Sequence, residues 1–297
     1  MKPLISYYGG KQRLASKLLP LLPPHTVYVE PFAGGASLLF AKPIPDVTNN
    51  DRYREVLNDK NDLIVTMYRV TREYPGRLHE LLELTPYSAS EWKKAKEICR
   101  NPINYTQIEI AWAVIVNCQQ SFAKDMNAGW GTSVCDQNQS ATWSNYRQAL
   151  PEILKRLEKV YIDSTDAIAC IDRWDSPQTC FYVDPPYPGT AQGHYSGYTQ
   201  EDFDRLIAKL QTIQGSFLLS CYENQSPLKS WEKFEFNATM SAAKSNNSDK
   251  TKTGERRNSD RVEVVWRKLS TIPHRKELKL LTFNCSGLLG DRSTINQ

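Results

Sequence analysis

A short apolar strand in the second half of the chain ends in two consecutive prolines. The run Cys180–Val183 is typical of a buried strand, and Asp184-Pro185-Pro186-Tyr187 follows it directly. Proline lacks a backbone N–H and has a fixed φ, so a sheet ladder does not continue through this pair. The chain must therefore leave the sheet at Asp184, through a rigid turn whose backbone carbonyl groups are free to face a pocket.

Short apolar runs alternate with helical patterns on both sides of this strand. Val27–Glu30 is followed by a turn that contains Gly34 and Gly35, and then by a helical run at Ala36–Ala41. A strand, a glycine-rich turn and a helix in this order open a nucleotide-binding βαβ unit. The alternation predicts an α/β, Rossmann-like fold with a mostly parallel sheet and helices on both faces. The other predicted strands are 55–59, 160–163, 217–220, 233–236 and 262–266, and the other helices of this unit are 12–22, 165–171 and 200–210.

From about residue 63 the pattern becomes mainly helical, and a polar loop at 119–140 follows. Residues 65–150 are therefore predicted to be an inserted, mainly helical domain, while 1–64 and 151–270 form the main domain. The predicted helices of the insertion are 63–72, 77–84, 89–99 and 108–116. Two further segments are predicted to be a flexible basic loop at 241–261, rich in Ser, Asn, Lys and Arg, and a C-terminal tail at 271–297.

Composition and charge narrow the function classes. The seven cysteines form no Cys-x-x-Cys pair and the four histidines share no metal-ligand spacing, so neither a disulfide framework nor a metal site is indicated. No apolar run approaches the roughly 20 residues of a membrane span, so we expect a cytoplasmic protein with no membrane partner. Residues 241–297 hold 12 basic and 6 acidic side chains, which gives +6. This segment is either a phosphate-binding surface or an ordinary solvated face.

Acidic residues lie at the carboxyl ends of three of the predicted strands: Glu30, Asp59 and Asp184. Doubly wound sheets bind their ligands outside these carboxyl ends of the strands. Asp59 lies 24 residues after Gly35, close to the spacing at which an acid reaches a ribose diol. The pattern fits NAD and S-adenosylmethionine equally, and a tight glycine turn without a ligand is the alternative.

The Asp-Pro-Pro-Tyr run narrows the chemistry further. An exocyclic amine on an aromatic base is a poor nucleophile, because its lone pair is delocalised into the ring. If Asp184 and the Pro185 carbonyl accept its two N–H groups, the nitrogen can pyramidalise and present its lone pair to a sulfonium methyl. Tyr187 would then stack on a base taken out of the double helix. The alternative is a surface turn in which Asp184 is a capping residue.

Four motifs occur in a particular order along the chain. They are Tyr7-Tyr8-Gly9-Gly10-Lys11, Glu30-Pro31-Phe32-Ala33-Gly34-Gly35-Ala36-Ser37, Asn58-Asp59 and Asp184-Pro185-Pro186-Tyr187. Across about residues 4–240 the chain resembles the Dam-type adenine-specific DNA methyltransferases. The resemblance implies an S-adenosylmethionine-dependent, site-specific enzyme that methylates N6 of a flipped-out adenine in double-stranded DNA by direct displacement. It also implies that the helical insertion is the target-recognition domain.

The resemblance further implies roles for individual residues. Tyr7 and Lys11 would contact the cofactor, residues 31–35 would wrap its methionine part, and Asp59 would bind its ribose hydroxyls. Asp166 resembles the acid that reads the cofactor adenine, although an ordinary helix N-cap explains it equally well. The implied cofactor-binding set is Tyr7, Lys11, Glu30, Pro31, Phe32, Ala33, Gly34, Gly35, Asp59, Asp166 and Asp184, and the implied catalytic set is Asp184, Pro185, Pro186 and Tyr187.

The helical insertion departs from the family pattern. Family members often carry Asn-Gly-x-x-Arg and then Phe-Asn-x-Pro-x-Gly, whereas this chain lacks that arginine and proline in 117–131, so the recognised DNA sequence does not transfer. We expect Lys124, Asn127 and Trp130 to touch DNA, with Trp130 inside the insertion's own core as the alternative. Further DNA contacts are expected from Arg256 and Arg257 in the basic loop, which would neutralise phosphates.

Three other functions compete with this hypothesis. An enzyme that methylates the exocyclic amine of cytosine uses a similar platform, but more often begins it with Ser and places the catalytic motif before the cofactor motif. A NAD-linked oxidoreductase would use the same glycine-rich turn, and a DNA-binding protein of this fold could have lost catalysis. The expected partners are double-stranded DNA and, as a candidate, a cognate restriction endonuclease, with the protein itself a monomer.

Overall fold

The computed structural model contains one mixed β-sheet within the residues that it describes. These are residues 1–7, 10–43, 52–133, 138–188, 197–222, 230–238 and 261–270. The strands are β1 Val27–Glu30, β2 Arg54–Asn58, β3 Val160–Asp163, β4 Thr179–Val183, β5 Ser216–Tyr222, β6 Glu232–Ala238 and β7 Arg261–Lys268. Their order across the sheet is β3-β2-β1-β4-β5-β7-β6. All seven predicted strands are confirmed, with ends that differ by one or two residues.

Five neighbouring strands, β3, β2, β1, β4 and β5, are parallel to one another. β7 pairs with β5 and with β6 in antiparallel orientation, so that it is inserted between them. The predicted mostly parallel α/β sheet is therefore confirmed. Parallel strands need crossover connections, and these place helices over both faces of the sheet.

Nine α-helices lie in the described residues. Their bounds are α1 Ala15–Leu18, α2 Ser37–Ala41, α3 Asp62–Glu73, α4 Pro75–Glu83, α5 Ala89–Arg100, α6 Gln107–Gln120, α7 Gln139–Leu157, α8 Ala167–Trp174 and α9 Gln200–Thr212. The predicted first helix at 12–22 is much shorter, because a 3-10 turn at Leu19–Leu21 contains Pro20 and ends it.

The helical insertion runs from α3 to α7, between β2 and β3. The predicted bounds at 65 and 150 both fall inside helices, and the helical region extends from 62 to 157. The sequence prediction contained no helix at α7, where polar residues at the start and the internal Pro151 weaken the helical pattern. The predicted loop at 119–140 is also shortened from both ends, by α6 and by α7.

Successive side chains of the strands enter two different hydrophobic cores, as the twofold alternation of a strand requires. Tyr28 and Leu57 belong to the core that also contains the buried residues of α2 and of the insertion. Val29 and Phe181 belong to the opposite core, with the buried residues of α8 and α9. The insertion therefore packs on one face of the sheet and shares its core.

A buried ionic cluster joins α7 to the sheet. The Arg156 guanidinium donates to both oxygens of Glu55, with 2.9 Å between Nη2 and Oε1, and also to the Leu39 carbonyl. Lys42 donates to the same Glu55 oxygen at 3.0 Å. Burial raises the pKa of Glu55, but the hydrogen bonds and charges of Arg156 and Lys42 outweigh it and hold the pKa below its ordinary value. Glu55 is thus a charged anchor for the last helix of the insertion.

We expect Arg156→Met to destabilise the protein strongly. The substitution removes the hydrogen bonds of Arg156 to Glu55 and leaves Lys42 to compensate the buried carboxylate, so we expect a cost of about 3 kcal/mol, the lower end of the range for a broken buried ion pair. Lys155→Met is the matched control, because Lys155 is an exposed neighbour on the same helix and such surface changes stay within about 0.5 kcal/mol. Urea denaturation of both variants measures the difference. Equal free energies of unfolding would show that the cluster does not anchor α7.

Candidate active site

The chain changes direction across the sheet between β1 and β4. The connections after β1 lead to β2 and β3 on one side, whereas β4 is followed by β5 on the other side. In open α/β sheets such a switch leaves a crevice outside the carboxyl ends of the two strands, and ligands bind there. Here the crevice lies between the turn at 31–36, which follows β1, and Asp184–Tyr187, which follows β4.

The turn after β1 requires glycine at its centre. Gly34 has a φ of +46°, and a Cβ atom there would lie 2.8 Å from Cδ1 of Tyr7. At Gly35 a Cβ atom would approach the Ile5 carbonyl oxygen to 3.0 Å. The N-terminal segment therefore lies directly on the glycine turn. Tyr7, an expected cofactor contact, is buried in this packing.

Asp59 fixes the same turn from the end of β2. Its two carboxylate oxygens accept backbone N–H groups from Gly34 and Asn61, each at 2.8 Å. Burial raises the pKa of Asp59 above its ordinary value, although these backbone hydrogen bonds oppose the shift. Asp59 also lines the cavity described next, so it both holds the turn and faces the pocket.

A cavity of about 530 Å³ opens beside the glycine turn. Five of the expected site residues belong to its wall, namely Pro31, Phe32, Asp59, Asp166 and Pro186. The other lining residues are Lys60, Asn61, Ala167, Ile168, Gly197, Tyr198, Asp202, Arg205 and Leu206. The volume lies within the range of roughly 300–1,000 Å³ that small-molecule sites occupy.

Asp166 is the N-cap of α8, one of the two roles that the sequence left open, and it also lines the cavity. Its side chain caps α8 by accepting the backbone N–H of Ile168 at 3.0 Å. Because Oδ1 of Asp166 accepts the capping hydrogen bond, its second carboxylate oxygen can still bind a ligand in the cavity.

Glu30 has a different position from the one expected of a cofactor contact. It is 1% exposed, and its Oε1 atom accepts both the Tyr28 hydroxyl and the Leu39 backbone N–H at 2.8 Å. Desolvation by burial raises the pKa of Glu30 to about 8, against the opposing effect of these two hydrogen bonds. Glu30 is not in the wall of the cavity, and its contacts instead tie α2 to β1.

A second polar cluster surrounds the end of β4. Lys11 Nζ lies 2.9 Å from Asp184 Oδ1 and 3.2 Å from Glu263 Oε1. The Tyr187 hydroxyl lies 2.8 Å from the same Glu263 oxygen and 3.1 Å from the same Asp184 oxygen. Lys11 Nζ is also 5.1 Å from the centre of the Tyr187 ring. We call these four residues the Lys11 cluster.

Burial and neighbouring charges both shift the pKa values of residues in the Lys11 cluster. Burial lowers the pKa of Lys11, but Asp184 and Glu263 together outweigh it and hold the pKa above its ordinary value. The pKa of Glu263 is raised by burial and by the charge of Asp184, against the opposing effects of Lys11 and Tyr187. Burial raises the pKa of Tyr187 far above its ordinary value. The cluster therefore holds a charged lysine and a neutral phenol.

Comparison with known proteins gives the family to which these features belong. The D12 class of N6 adenine-specific DNA methyltransferases matches residues 7–237, a region that contains the glycine turn, the helical insertion and Asp184–Tyr187. This chain belongs to that class. It is therefore a DNA methyltransferase, and membership implies S-adenosylmethionine as the methyl donor.

Two individual proteins are also similar to this D12-class chain. The type II methyltransferase M.MjaIII of Methanocaldococcus jannaschii is 22% identical over 233 residues, which are 69% of this chain and 75% of that protein. The solved structure of the rRNA methyltransferase aviRa from Streptomyces viridochromogenes aligns over 86% of this chain and 84% of its own, with a TM-score of 0.35 and 11% identity.

Sequence reasoning missed Glu263 and nine of the residues that line the cavity, Tyr198 among them. Glu263 lies on β7, and the only signal for it was an acidic residue within the apolar run Val262–Trp266. Tyr198 lies in the cavity wall, with its ring edge-on to Phe32 at 6.1 Å between centroids. Both lie far along the chain from the glycine turn, and only the folded sheet brings them to it.

The expected DNA-contacting residues have unequal surroundings. Ser121 and Trp130 form an antiparallel bridge that closes the loop after α6. Trp130 is half-buried and packs against Tyr87 at 5.8 Å between ring centroids, which supports the packing role left open for it. Asn127 is exposed, whereas Lys124 is half-buried.

Two expected site residues and several segments named in the sequence predictions lie outside the described residues. They are Tyr8 and Gly9 of the first motif, residues 134–137 of the loop, Arg256 and Arg257 of the basic loop, and 271–297. In the part of the chain that the structure does describe, no helix is long and apolar enough to cross a membrane. Nor does any group of three or more His, Cys, Asp or Glu side chains there have the arrangement of a metal site.

The cavity wall fits an adenosyl cofactor. Asp59 and Asp166 supply carboxylate acceptors for hydroxyl and amine groups, and Phe32 supplies an aromatic surface. The Tyr198 hydroxyl oxygen is buried, and it has no hydrogen-bond partner among the described residues. Buried polar atoms are nearly always paired, so this hydroxyl at the cavity wall is suited to a hydrogen bond with a ligand.

We therefore expect Tyr198→Phe to weaken cofactor binding by about three- to tenfold, since a hydrogen bond contributes about 1 kcal/mol. Isothermal titration of the purified protein with S-adenosylmethionine measures this change. Tyr161→Phe is the matched control, because Tyr161 is an exposed tyrosine on β3. Equal affinities for the two variants would remove Tyr198 from the cofactor site.

Proposed function

We propose that this D12-class enzyme methylates the N6 amine of a flipped-out adenine at a specific site in double-stranded DNA, by direct displacement. The observation that carries the proposal is the position of Asp184–Tyr187. This turn lies at the switch between β1 and β4, and its Pro186 belongs to the wall of the cavity beside the glycine turn. A base held by this turn would thus lie next to a cofactor held in the cavity.

Asp184 and Pro185 would prepare the amine for attack. The Asp184 carboxylate is 19% exposed, so a ligand can reach it, and it accepts N–H groups when ionised. With one amine N–H on Asp184 and the other on the Pro185 carbonyl, the nitrogen lone pair is released from the ring. S-adenosylmethionine, when bound, supplies a methyl group on a sulfonium centre. The chain's own contribution is to orient the amine and to exclude water from it.

Tyr187 is proposed to stack on the flipped base, a contact that unstacked bases commonly make with aromatic side chains. In the structure it is 7% exposed, and Lys11 lies over its ring. The hydroxyl contacts to Asp184 and Glu263 hold the ring at the end of β4. Stacking on this ring would therefore require a local rearrangement when the base enters.

The proposed cofactor site combines the cavity wall with the glycine turn. Asp59 and Asp166 are proposed to bind hydroxyl and amine groups of the adenosyl part, and residues 31–35 to enclose the methionine part. Lys11 and Tyr7 would support this turn from the N-terminal segment, which lies against Gly34 and Gly35. Glu30 would act indirectly, by fixing α2 behind the turn.

The decisive experiment is sequencing of DNA from cells that express the protein, with detection of modified bases in their flanking sequence. We expect N6-methyladenine at one recurring site, and Asp184→Asn should reduce the methylation rate by about 100-fold or more. Asp204→Asn, at an exposed carboxylate on α9, is the control and should retain the wild-type rate. Cytosine methylated at its amine, with adenine unmodified, would contradict the proposal.

The loop at 121–131 is proposed to contact the DNA. Ala123 and Lys124 have φ values of +53° and +57°, a strained backbone that the surrounding structure must maintain. Anchors from α5 hold the loop, because Trp92 donates to Ser121 and Lys96 to the Ala128 carbonyl, each at 2.8 Å. Strained and firmly anchored loops with exposed polar residues commonly carry function.

We expect Lys124→Ala to weaken DNA binding about equally for all sequences, and to reduce the slope of log affinity against log salt by about one. Fluorescence anisotropy with a labelled duplex at several salt concentrations measures both effects. Lys17→Ala, an exposed lysine on α1, is the control. An unchanged slope for Lys124→Ala would place the DNA elsewhere.

The relative named as a type II methyltransferase supports a cognate restriction endonuclease as a partner of this enzyme. Such a pair would recognise the same DNA sequence, because the methylated site is the one protected from cleavage.

A further inference from the structure

Lys11 and Tyr187 both contact one oxygen of the carboxylate that is proposed to accept the target amine. The Lys11 ammonium lies 2.9 Å from Asp184 Oδ1, and the Tyr187 hydroxyl lies 3.1 Å from the same atom. A cation and a phenol at this oxygen reduce the negative charge that the Asp184 carboxylate offers to an amine N–H, whichever of its two oxygens the amine contacts. A group that shares Lys11 and Tyr187 with Asp184 therefore makes Asp184 a better acceptor.

Glu263 is such a group. One of its oxygens, Oε1, lies 3.2 Å from Lys11 Nζ and 2.8 Å from the Tyr187 hydroxyl. The ammonium can donate to both carboxylates, whereas the single hydroxyl proton of Tyr187 is shared between them. Both groups therefore interact less strongly with Asp184 than they would without the charge of Glu263.

The strand that carries Glu263 is held on both sides. β7 pairs with β5 and β6, and Glu263 lies opposite Tyr222 on β5 and Phe236 on β6. Asp184, by contrast, lies in a turn just beyond the end of β4. Side chains on a paired strand are positioned more firmly than those on a loop, so Glu263 is the more fixed of the two carboxylates.

We propose that Glu263 is a positioning residue, which draws Lys11 and Tyr187 away from Asp184 and so leaves that carboxylate free for the target amine. This inference rests on the proposed function. It concerns the charge of Glu263 and its two contacts, and it assigns Glu263 no direct contact with the base or the cofactor.

Two substitutions of Glu263 should have different effects. Glu263→Gln keeps the size and one acceptor oxygen but removes the charge, so Lys11 should move fully onto Asp184 and compete with the amine. Glu263→Asp keeps the charge on a shorter side chain and should restore part of the function. Glu235→Gln is the matched control, because Glu235 lies on the neighbouring strand β6 and its side chain is 53% exposed.

The experiment compares these variants on a duplex that carries the site found by sequencing. We expect Glu263→Gln to reduce the single-turnover methylation rate by about 30-fold, while the dissociation constant for S-adenosylmethionine changes less than threefold. Glu263→Asp should methylate at least about threefold faster than Glu263→Gln, which is a third of the 30-fold loss on a logarithmic scale. Glu235→Gln should have the same rate as the wild-type protein.

A binding measurement without turnover tests the same inference. Duplexes with adenine or with purine, which lacks the amine, at the target position are compared by their dissociation constants. The wild-type protein should prefer the adenine duplex several-fold, because the amine binds Asp184. In Glu263→Gln this preference should fall to less than twofold, since Lys11 still occupies the carboxylate.

A double-mutant cycle shows whether Glu263 acts through Lys11. In a Lys11→Met background, adding Glu263→Gln should lower the remaining rate by less than threefold, because the group that Glu263 holds is already gone. A further 30-fold loss in that background would overturn the inference. So would an unchanged rate in Glu263→Gln, or a loss of rate that only follows a loss of cofactor affinity or of thermal stability.

If the proposed function were wrong, the measurements on the wild-type protein would already differ from those expected. In that case the wild-type protein itself would leave adenine unmodified and would not distinguish adenine from purine. Failure of the inference leaves wild-type adenine methylation intact, with Glu263→Gln equal to it.

Discussion

The switch in direction between β1 and β4 is the constraint on which the rest of the site depends. Crossovers between parallel strands have one handedness, so connections that go to opposite sides of the sheet leave an uncovered crevice where they diverge. Turns that follow these two strands necessarily face each other there. The glycine turn holds one wall and Asp184–Tyr187 the other, although about 150 residues of chain separate them.

The positive charge of Lys11 at this crevice lies close to two carboxylates. Lys11, Asp184 and Glu263 come from the N-terminal segment, the end of β4 and β7, and each would be costly to bury alone. The two carboxylates hold the pKa of Lys11 above its ordinary value despite its burial, and Lys11 in turn opposes the rise in the pKa of Glu263. The Arg156 and Glu55 pair applies the same principle elsewhere, where it fastens the end of the insertion to the sheet. Buried ion pairs thus join distant parts of the chain at two separate places.

Much of the fold and part of the site could be predicted from the sequence. Strand β4 and the turn after it were predictable, because apolar β-formers followed by two prolines allow few other structures. The position of Asp59 at the cavity was predictable from its spacing to Gly35. The contacts of Glu30 could not be predicted, because its position at the end of a strand does not reveal that its side chain binds Tyr28 and Leu39. Helix α7 was missed, since its packing overrides a weak local pattern.

The sequence by itself determined the class of fold, the order of the motifs and the chemistry that Asp184–Tyr187 can support. These follow from local properties, such as apolar periodicity, proline geometry and the donors and acceptors of each side chain. Only the tertiary structure decided that Glu263 lies beside Asp184, that Tyr198 lines the cavity, and that the half-buried Trp130 packs against Tyr87. Their roles depend on which strands become neighbours, and neighbours in a sheet are set by long-range pairing that no local pattern contains.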